Sequence, residues 1–207
     1  ASPGASAGAM RCTSRSIRRI LAHDGGAVEL RQAQPADLEP LTRLFTEAFG
    51  ADPLWRWAFP GDDGLEAMWR LYIGSALRYP ATWIAGDFAA ASLWIPPGGQ
   101  ELTPEEEERV EPLLEGHVGP RTPDVLELLD RFDGSHPRAE PHYYLSLLGT
   151  ATAHRGRGLG MALLRENLRR MDDEGVPAYL ESSNPANDER YAGVGFRGVS
   201  RFTTPDD

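Results

Sequence analysis

The chain has 207 residues and a mass of 22.7 kDa, with 41% hydrophobic residues, 25% charged residues and a formal net charge of −10 at pH 7. This composition fits one globular domain and excludes a disordered chain, and the single cysteine, Cys12, excludes an internal disulfide framework and a cysteine-based zinc cluster. All 21 basic residues are arginine, which excludes a Walker A lysine and a lysine Schiff base, and the net acidity argues against a general nucleic-acid binder.

Residues 1–27 differ in composition from the rest of the chain. The first ten are small and of low complexity, and the stretch that follows is rich in arginine and serine. We therefore expect residues 1–27 to form a disordered N-terminal lead and residues 28–207 to form a single domain. No run of about 18 apolar residues predicts a membrane span, and the apolar stretch near the N-terminus is too short for a secretory signal, so we expect a cytoplasmic protein.

The first part of the domain alternates between strand and helix patterns. Apolar spacing predicts five elements and one loop in chain order: a strand over 28–33, a helix capped by Asp37 and closed by Gly50, a loop over 51–63, a helix over 65–79, and a hairpin of strands over 81–85 and 89–95.

An acidic segment follows this hairpin. Residues 101–140 contain twelve acidic residues against four arginines, which accounts for most of the net charge. Helical spacing predicts two helices there, over 104–115 and 122–132, and we interpret residues 98–140 as a helical insertion. Glu105–Glu108 form either a solvated helix face or a lid whose field attracts a cationic amine.

The last third of the chain carries the chemistry. An apolar strand over 142–150 leads into the glycine-rich turn 155–160, and Met161, Leu164, Leu168 and Met171 then recur on one face of a helix that ends at Gly175. A strand over 178–182, a short helix over 184–192 and a strand over 195–202 follow. Glycines between a strand and a helix N-terminus, flanked here by Arg155 and Arg157, predict a binding site for a pyrophosphate.

The spacing of the turn narrows the choice of pyrophosphate. No lysine follows the glycines, and Met161 stands where a dinucleotide fingerprint has its third glycine. The order Arg155-Gly156-Arg157-Gly158-Leu159-Gly160, followed by Asn187, Tyr191 and Gly195-Phe196, resembles the GNAT acetyltransferase superfamily. The segments 93–98 and 143–149 are similar to the actinobacterial group that includes puromycin N-acetyltransferase.

The resemblance covers about 28–202 and is strongest over 142–197. It implies a GNAT-like acyltransferase fold of the α/β class, with a central, mostly antiparallel mixed sheet, one splayed parallel pair of strands and helices on both faces. It also implies acetyl-CoA as co-substrate, without a metal, in the gap between strands 142–150 and 178–182. The residues that it assigns to acetyl-CoA are Leu147, Leu148, Gly149, Thr150, Arg155, Gly156, Arg157, Gly158, Leu159, Gly160, Met161, Asn187 and Tyr191.

Catalysis in such a family is direct attack of an amine on the thioester. An amine of pKa ~10.4 costs about 4–5 kcal/mol to present neutral at pH 7, so a base is needed. We expect Glu181 to be this base and Tyr191 to be the general acid on the departing sulfur. The alternatives are a structural role for Glu181 and a packing role for Tyr191. Asn187 is either a pantetheine contact or a helix cap, and His142 is either a proton relay or a surface residue.

These features predict an N-acetyltransferase acting on a primary amine of a small, cationic molecule. The alternatives are a non-catalytic CoA-binding sensor and an acetyltransferase of protein N-termini or lysines. No nucleic-acid or membrane partner is expected. The fold usually has one more strand after the Gly-Phe strand, and the chain stops at Asp207, so either this strand is missing or a partner, such as the second copy of a homodimer, covers the edge.

Overall fold

The computed structural model describes residues 6–12 and 28–205, which form a mixed α/β fold around one seven-stranded sheet. The strands are β1 (Ser6–Cys12), β2 (Leu30–Gln32), β3 (Thr82–Ala85), β4 (Ala90–Ile95), β5 (Tyr143–Thr150), β6 (Ala178–Ser182) and β7 (Phe196–Thr203). The sheet order is β2-β3-β4-β5-β6-β1-β7, and only β5 and β6 pair in parallel. The predicted fold class is therefore confirmed.

Eight helices surround the sheet in the described part of the chain. They are α1 (Leu38–Phe49), α2 (Pro53–Ala58), α3 (Asp62–Ala76), α4 (Pro104–Glu107), α5 (Val110–Val118), α6 (Thr122–Ser135), α7 (Leu159–Glu174) and α8 (Asp188–Ala192). The side chains of β4 show which helices cover which face of the sheet. Leu93 and Ile95 pack with α1, α3, α5 and α6. Trp94 points to the opposite face and packs with α7. The helices thus cover both faces, as expected.

The N-terminal strand corrects one prediction. Residues 6–12 were expected to be disordered, but they form β1, a central strand that pairs antiparallel with β6 on one side and with β7 on the other. Ala7 and Ala9 are completely buried, so the small residues that look like low complexity fit a crowded position in the sheet. Strand β1 lies between β6 and β7, and β7 is the outermost described strand on this side, so a partner at this edge stays a prediction. Residues 1–5 and 13–27, which belong to the same prediction, lie outside the described residues.

Two local elements also differ from expectation. The segment predicted as a loop over 51–63 contains α2, because Asp52 caps it by accepting hydrogen bonds from the backbone N–H groups of Leu54 at 3.0 Å and Trp55 at 3.4 Å. The first acidic helix is split into α4 and α5. Glu106 forms a capping box with Thr103 at the start of α4, which supplies acceptors to backbone N–H groups at the N-terminus of this short helix.

Strands β5 and β6 separate after three residue pairs. Tyr143, Tyr144 and Leu145 pair with Ala178, Tyr179 and Leu180, and the parallel pairing ends there. A shift of register opposite Leu93 and Trp94 leaves Ser146 as an extra residue in β5. Beyond this bulge β5 stays paired with β4 but not with β6, so a V-shaped gap opens between the two parallel strands.

Gly149 allows α1 to approach β5 at the wall of this gap. A Cβ at position 149 would lie 2.9 Å from Cδ1 of Phe45 and 3.0 Å from Cδ2 of Leu44. We expect Gly149→Ala to lower the free energy of unfolding by about 1–3 kcal/mol through overpacking. Gly116→Ala, in the exposed middle of α5 with nothing within 4 Å of its Cβ, should raise it by about 0.5–1 kcal/mol. Equal effects of the two variants in urea unfolding would contradict this packing.

Candidate active site

The gap between β5 and β6 opens into a cleft of about 1420 Å³ that crosses the molecule. Both strands, the ends of α1 and α6, the glycine-rich turn, α8 and the loop after β4 contribute to its walls. A cleft of this size exceeds the usual 300–1,000 Å³ of a pocket for one drug-sized ligand. It therefore has room for a large co-substrate and a second small molecule.

The exposed backbone of β5 forms one wall of the gap. Ala151 donates a hydrogen bond to the carbonyl of Ala89, at 3.0 Å, on the β4 side. Because these bonds alternate along an antiparallel strand, the N–H groups of Leu148 and Thr150 point to the other side, toward the gap. Leu147, Leu148, Gly149 and Thr150, all predicted from the sequence, line the cleft.

The glycine-rich turn leads into the N-terminus of α7 at the end of this wall. Gly156 and Gly158 have φ angles of +77° and +73°, which side chains rarely adopt. Gly160 lies against β5, because a Cβ there would approach Oγ1 of Thr150 to 2.6 Å. The first N–H groups of α7 have no acceptor within the helix and carry the positive end of its dipole. This set of donors fits a diphosphate, and Leu159 and Met161 complete the lining.

The two arginines of the turn have different surroundings from those that the sequence predicted. The Arg155 guanidinium donates to the carbonyl of Ala48 at 2.8 Å and to that of Glu47 at 3.4 Å, so it anchors the turn to the C-terminus of α1. Glu47 completes the anchor by accepting from the Thr152 N–H at 2.8 Å. Hydrogen bonding to the Thr152 side chain and then to its N–H, with a smaller effect of the Arg155 charge, lowers the pKa of Glu47. Arg157 is exposed and lies outside the residues that line the cleft.

Glu181 lies at the narrow end of the gap. It follows the last paired residue of β6, and its side chain points opposite to that of Leu180, away from α7. The side chain is 2% exposed, and its Oε2 atom is buried without a hydrogen-bond partner. A buried carboxylate oxygen without a partner is costly, so this atom is available to a ligand in the cleft.

Glu101, which sequence reasoning counted only as one of the acidic residues, faces the same end of the cleft. The loop after β4 folds back through Gly98, with φ of +75°, and Gly99, whose Cβ would lie 2.8 Å from Cγ2 of Ile95. Burial and the negative charge of Glu181 raise the pKa of Glu101 to about 7, although the Ser146 hydroxyl opposes this shift with a hydrogen bond. Glu101 and Glu181 thus lie close enough for the charge of Glu181 to raise the pKa of Glu101.

The raised pKa predicts a pH-dependent stability. The pKa of Glu101 rises from 4.5 to about 7 on folding, so the folded chain holds a proton that the unfolded chain has released between these pH values, and stability falls as the pH rises through this window. A glutamine side chain at this position does not titrate, so it causes no such fall in stability with rising pH. We expect Glu101→Gln to raise the free energy of unfolding at pH 8 by about 3 kcal/mol and to leave it unchanged below pH 4.5. Urea unfolding at both pH values tests this, and a pH-independent difference would contradict it.

Two histidines extend from Glu181 toward the rim of the cleft. Nδ1 of His136 lies 3.7 Å from Oε1 of Glu181, and Nε2 of His136 lies 2.9 Å from Nε2 of His142. His142 directs Nδ1 to the carbonyl of Glu140 at 2.8 Å, so this nitrogen carries the proton and Nε2 accepts from His136. Neutral His136 then presents an unprotonated Nδ1 to Glu181. Burial lowers the pKa of His142, which favours the accepting form.

Tyr191 lies on the other side of the cleft, in α8. Burial, together with the negative charges of Asp52 and Asp188, raises the pKa of Tyr191 to about 12, against the effect of Arg190. The phenol therefore keeps its proton at neutral pH and acts as a donor. Asp52 is held in place by the Ser183 hydroxyl, which donates to it at 2.8 Å across the cleft. Asn187 also lines the cleft, and its side chain accepts from Arg190 at 3.3 Å.

Every residue predicted for the site except Arg157 thus lines one cleft. The residues that sequence reasoning missed are Glu101, His136, Ser146 and Asp52. Among residues 6–12 and 28–205, no group of three or more His, Cys, Asp or Glu side chains is arranged to hold a metal ion. Within those ranges, no helix has the length and apolar character needed to cross a membrane.

Part of the chain that lines the cleft matches a known protein family. Residues 123–196 match the model of the family described as Acetyltransferase (GNAT) family. A protein of Schizosaccharomyces pombe described as Uncharacterized N-acetyltransferase C550.08 is 30% identical over 119 residues, which are 54% of this chain and 48% of that protein. The chain therefore spans about half the length of the curated relative that it matches.

Solved structures share the fold. A structure from Corynebacterium glutamicum, described as histone acetyltransferase HPA2 and related acetyltransferase, has a TM-score of 0.58 at 23% identity, covering 82% of this chain and 84% of that one. A GCN5-related N-acetyltransferase from Sphaerobacter thermophilus has a TM-score of 0.56 at 16% identity, covering 98% of this chain and 51% of that one. At these identities the two structures show that the chain shares their fold.

Proposed function

We propose, from the match of residues 123–196 to the GNAT acetyltransferase family model, that the chain is an N-acetyltransferase that moves an acetyl group from acetyl-CoA to a primary amine of a small cationic molecule. One observation carries this proposal. The N-terminus of α7, whose N–H donors suit a diphosphate, and the carboxylates Glu101 and Glu181 lie in a single cleft, on either side of the exposed backbone of β5.

The donor half of the cleft holds the thioester by its backbone. The glycine turn and the first N–H groups of α7 bind the diphosphate, and the N–H groups of Leu148 and Thr150 bind the pantetheine arm and the thioester oxygen. Arg155 keeps the turn in place through α1 rather than by reaching the phosphates. The reacting carbonyl then lies near the narrow end of the gap, beside Glu181.

The acceptor amine loses a proton at these carboxylates. Glu181 Oε2 takes one proton from the ammonium group, and the freed nitrogen attacks the thioester carbon. As the bond from this carbon to sulfur breaks, the attacking nitrogen gives up its second proton to the departing thiolate, which leaves the amide and the CoA thiol. The proton passes from Glu181 to Nδ1 of His136, which is partly exposed and releases it to solvent. His142 is a positioning residue, because its hydrogen bond fixes the tautomer of His136.

Tyr191 stabilises the departing sulfur. Its phenol, with a pKa of about 12, is roughly 3–4 pKa units less acidic than a thiol, so complete proton transfer to a solvated thiolate is unfavourable by about 5 kcal/mol. Tyr191 therefore acts chiefly by donating a hydrogen bond as negative charge develops on sulfur, and the proton moves only if the buried thiolate becomes as basic as the phenol.

We expect Tyr191→Phe to lower kcat by about tenfold or more, with little change in CoA affinity, because only the hydrogen bond to sulfur is lost. Release of the CoA thiol and calorimetric CoA binding measure the two effects. Tyr143→Phe is the matched control, because its hydroxyl donates to Glu174 outside the cleft and its loss should leave kcat within about twofold. Unchanged turnover in Tyr191→Phe would remove this residue from the mechanism.

A screen of the purified chain for CoA release with diverse amines tests the proposed reaction. Release with a small amine supports it, whereas CoA binding without release across the panel would favour a sensor, and release only with basic peptides would favour a protein acetyltransferase. The similarity to the puromycin N-acetyltransferase group, the cytoplasmic location and a homodimer stay predictions from the sequence.

A further inference from the structure

The part of the cleft beyond Glu101 is lined by aromatic rings. Trp55 meets Trp69 edge-on with centroids 4.7 Å apart and stacks on Phe132 at 6.0 Å, and Phe49 lies 5.4 Å from Trp69. All four residues line the cleft, and they come from α2, α3, α6 and the end of α1. Rings drawn from four helices form a preformed apolar wall for the body of the amine.

One polar atom in this wall has no partner. Trp69 is 2% exposed, and its Nε1 is buried without a hydrogen-bond acceptor. Indole Nε1–H is a donor only, and none of the rings packed around Trp69, those of Phe49, Trp55 and Tyr72, supplies an oxygen or nitrogen that accepts from it. A buried donor in this condition is costly unless a ligand supplies the acceptor.

A second atom without a partner, an acceptor, belongs to the same cleft. Oε2 of Glu181, whose side chain is 2% exposed, is a buried acceptor without a donor. Glu101 beside it is an acid of raised pKa. A ligand that donates a hydrogen bond to the carboxylates and accepts one from the indole N–H would therefore satisfy both atoms.

From these two atoms we infer the class of the acceptor substrate, given the proposed acetyl transfer. It is a monoamine whose single amino group faces Glu101 and Glu181, whose aromatic or alkyl body packs against Trp55, Trp69 and Phe132, and whose distal end carries an oxygen that accepts a hydrogen bond from Trp69 Nε1. Apolar contact holds the body, and the two unpaired atoms fix its direction.

The same reasoning excludes a diamine as the preferred substrate. A second ammonium has only donors, so at the far end of the cleft it would face the N–H of Trp69 donor to donor. The aromatic faces attract a cation, but the orphaned N–H offsets this attraction. The wall therefore distinguishes an oxygen from an ammonium at the same distance from the reacting amine.

Three 2-phenylethylamines that differ only in the para substituent test this inference. The substituents are hydroxyl, methyl and aminomethyl, which present an acceptor, an apolar group of similar size and a second cation. We expect kcat/KM to be roughly five- to hundredfold higher for the hydroxyl compound than for the methyl compound, with the aminomethyl compound the poorest. An equal or better rate with the methyl or aminomethyl compound would overturn the inference.

Trp69→Phe keeps an aromatic ring and removes the N–H, so the hydroxyl-to-methyl ratio should fall to within about twofold of one. Trp57→Phe, on α2 but outside the cleft wall, should keep the wild-type ratio. An unchanged hydroxyl-to-methyl ratio of kcat/KM in Trp69→Phe contradicts the inference. If this variant does not fold, the ratios measured with the wild-type chain test the inference by themselves. Turnover of all three amines without discrimination refutes only the substrate class, whereas CoA binding without turnover of any amine refutes the proposed reaction as well.

Discussion

Replacing Glu181 with Gln is expected to lower kcat/KM for amine acetylation by about 10²- to 10⁴-fold. The carboxylate is buried at the narrow end of the gap, with Oε2 free to accept a proton and Oε1 facing the acceptor nitrogen of His136. Glutamine preserves the size and burial of the side chain but cannot take a proton. Steady-state assays of CoA release, with CoA affinity measured separately, give the loss.

Asp133→Asn provides the control for a general field effect. Asp133 also lines the cleft, but its carboxylate is exposed and pairs with Arg138 at 2.6 Å. Its removal weakens the attraction of a cationic amine and takes away the smallest of the influences that raise the pKa of Glu101, so KM should rise severalfold while kcat stays within about twofold. Equal losses of kcat in the two variants would mean that Glu181 contributes charge rather than proton transfer.

Ala9→Pro is expected to have the largest effect on stability, at about 3 kcal/mol or more. Ala9 is completely buried in β1, opposite Glu181 of β6 on one side and Ser200 of β7 on the other. Proline removes a backbone donor from the centre of a sheet, where no water replaces the lost bond. Urea or thermal unfolding measures the loss.

Ser6→Pro is the matched variant in the same strand. Ser6 is the first residue of β1 and pairs only with Thr203 of β7, a position at which a strand tolerates proline. Its effect should stay below about 1 kcal/mol. Similar effects at both positions would show that β1 does not hold the central place between β6 and β7. Because Ala9 lies opposite Glu181, Ala9→Pro should lower acetylation as well.

The amino-acid sequence alone predicted the elements with strong local signals. Strand β6 was predicted over its observed range, and α7 ends at Gly175, which has a φ of 72° and caps the helix. The glycine turn was also found, because close backbone approach to a ligand imposes its residue types locally. Glu181 and Tyr191 were predicted from the resemblance to the GNAT superfamily, and both line the cleft.

The tertiary structure decided what depends on residues far apart in the chain. Strand β1 has small residues of weak strand preference, and its place is set by partners more than 160 residues away. The raised pKa of Glu101 arises from burial and from the charge of Glu181, 80 positions later. The hydrogen bond of Arg155 to α1 likewise joins residues more than 100 positions apart. Local sequence fixes periodicity and turn geometry, whereas burial and charge proximity exist only once distant segments have packed together.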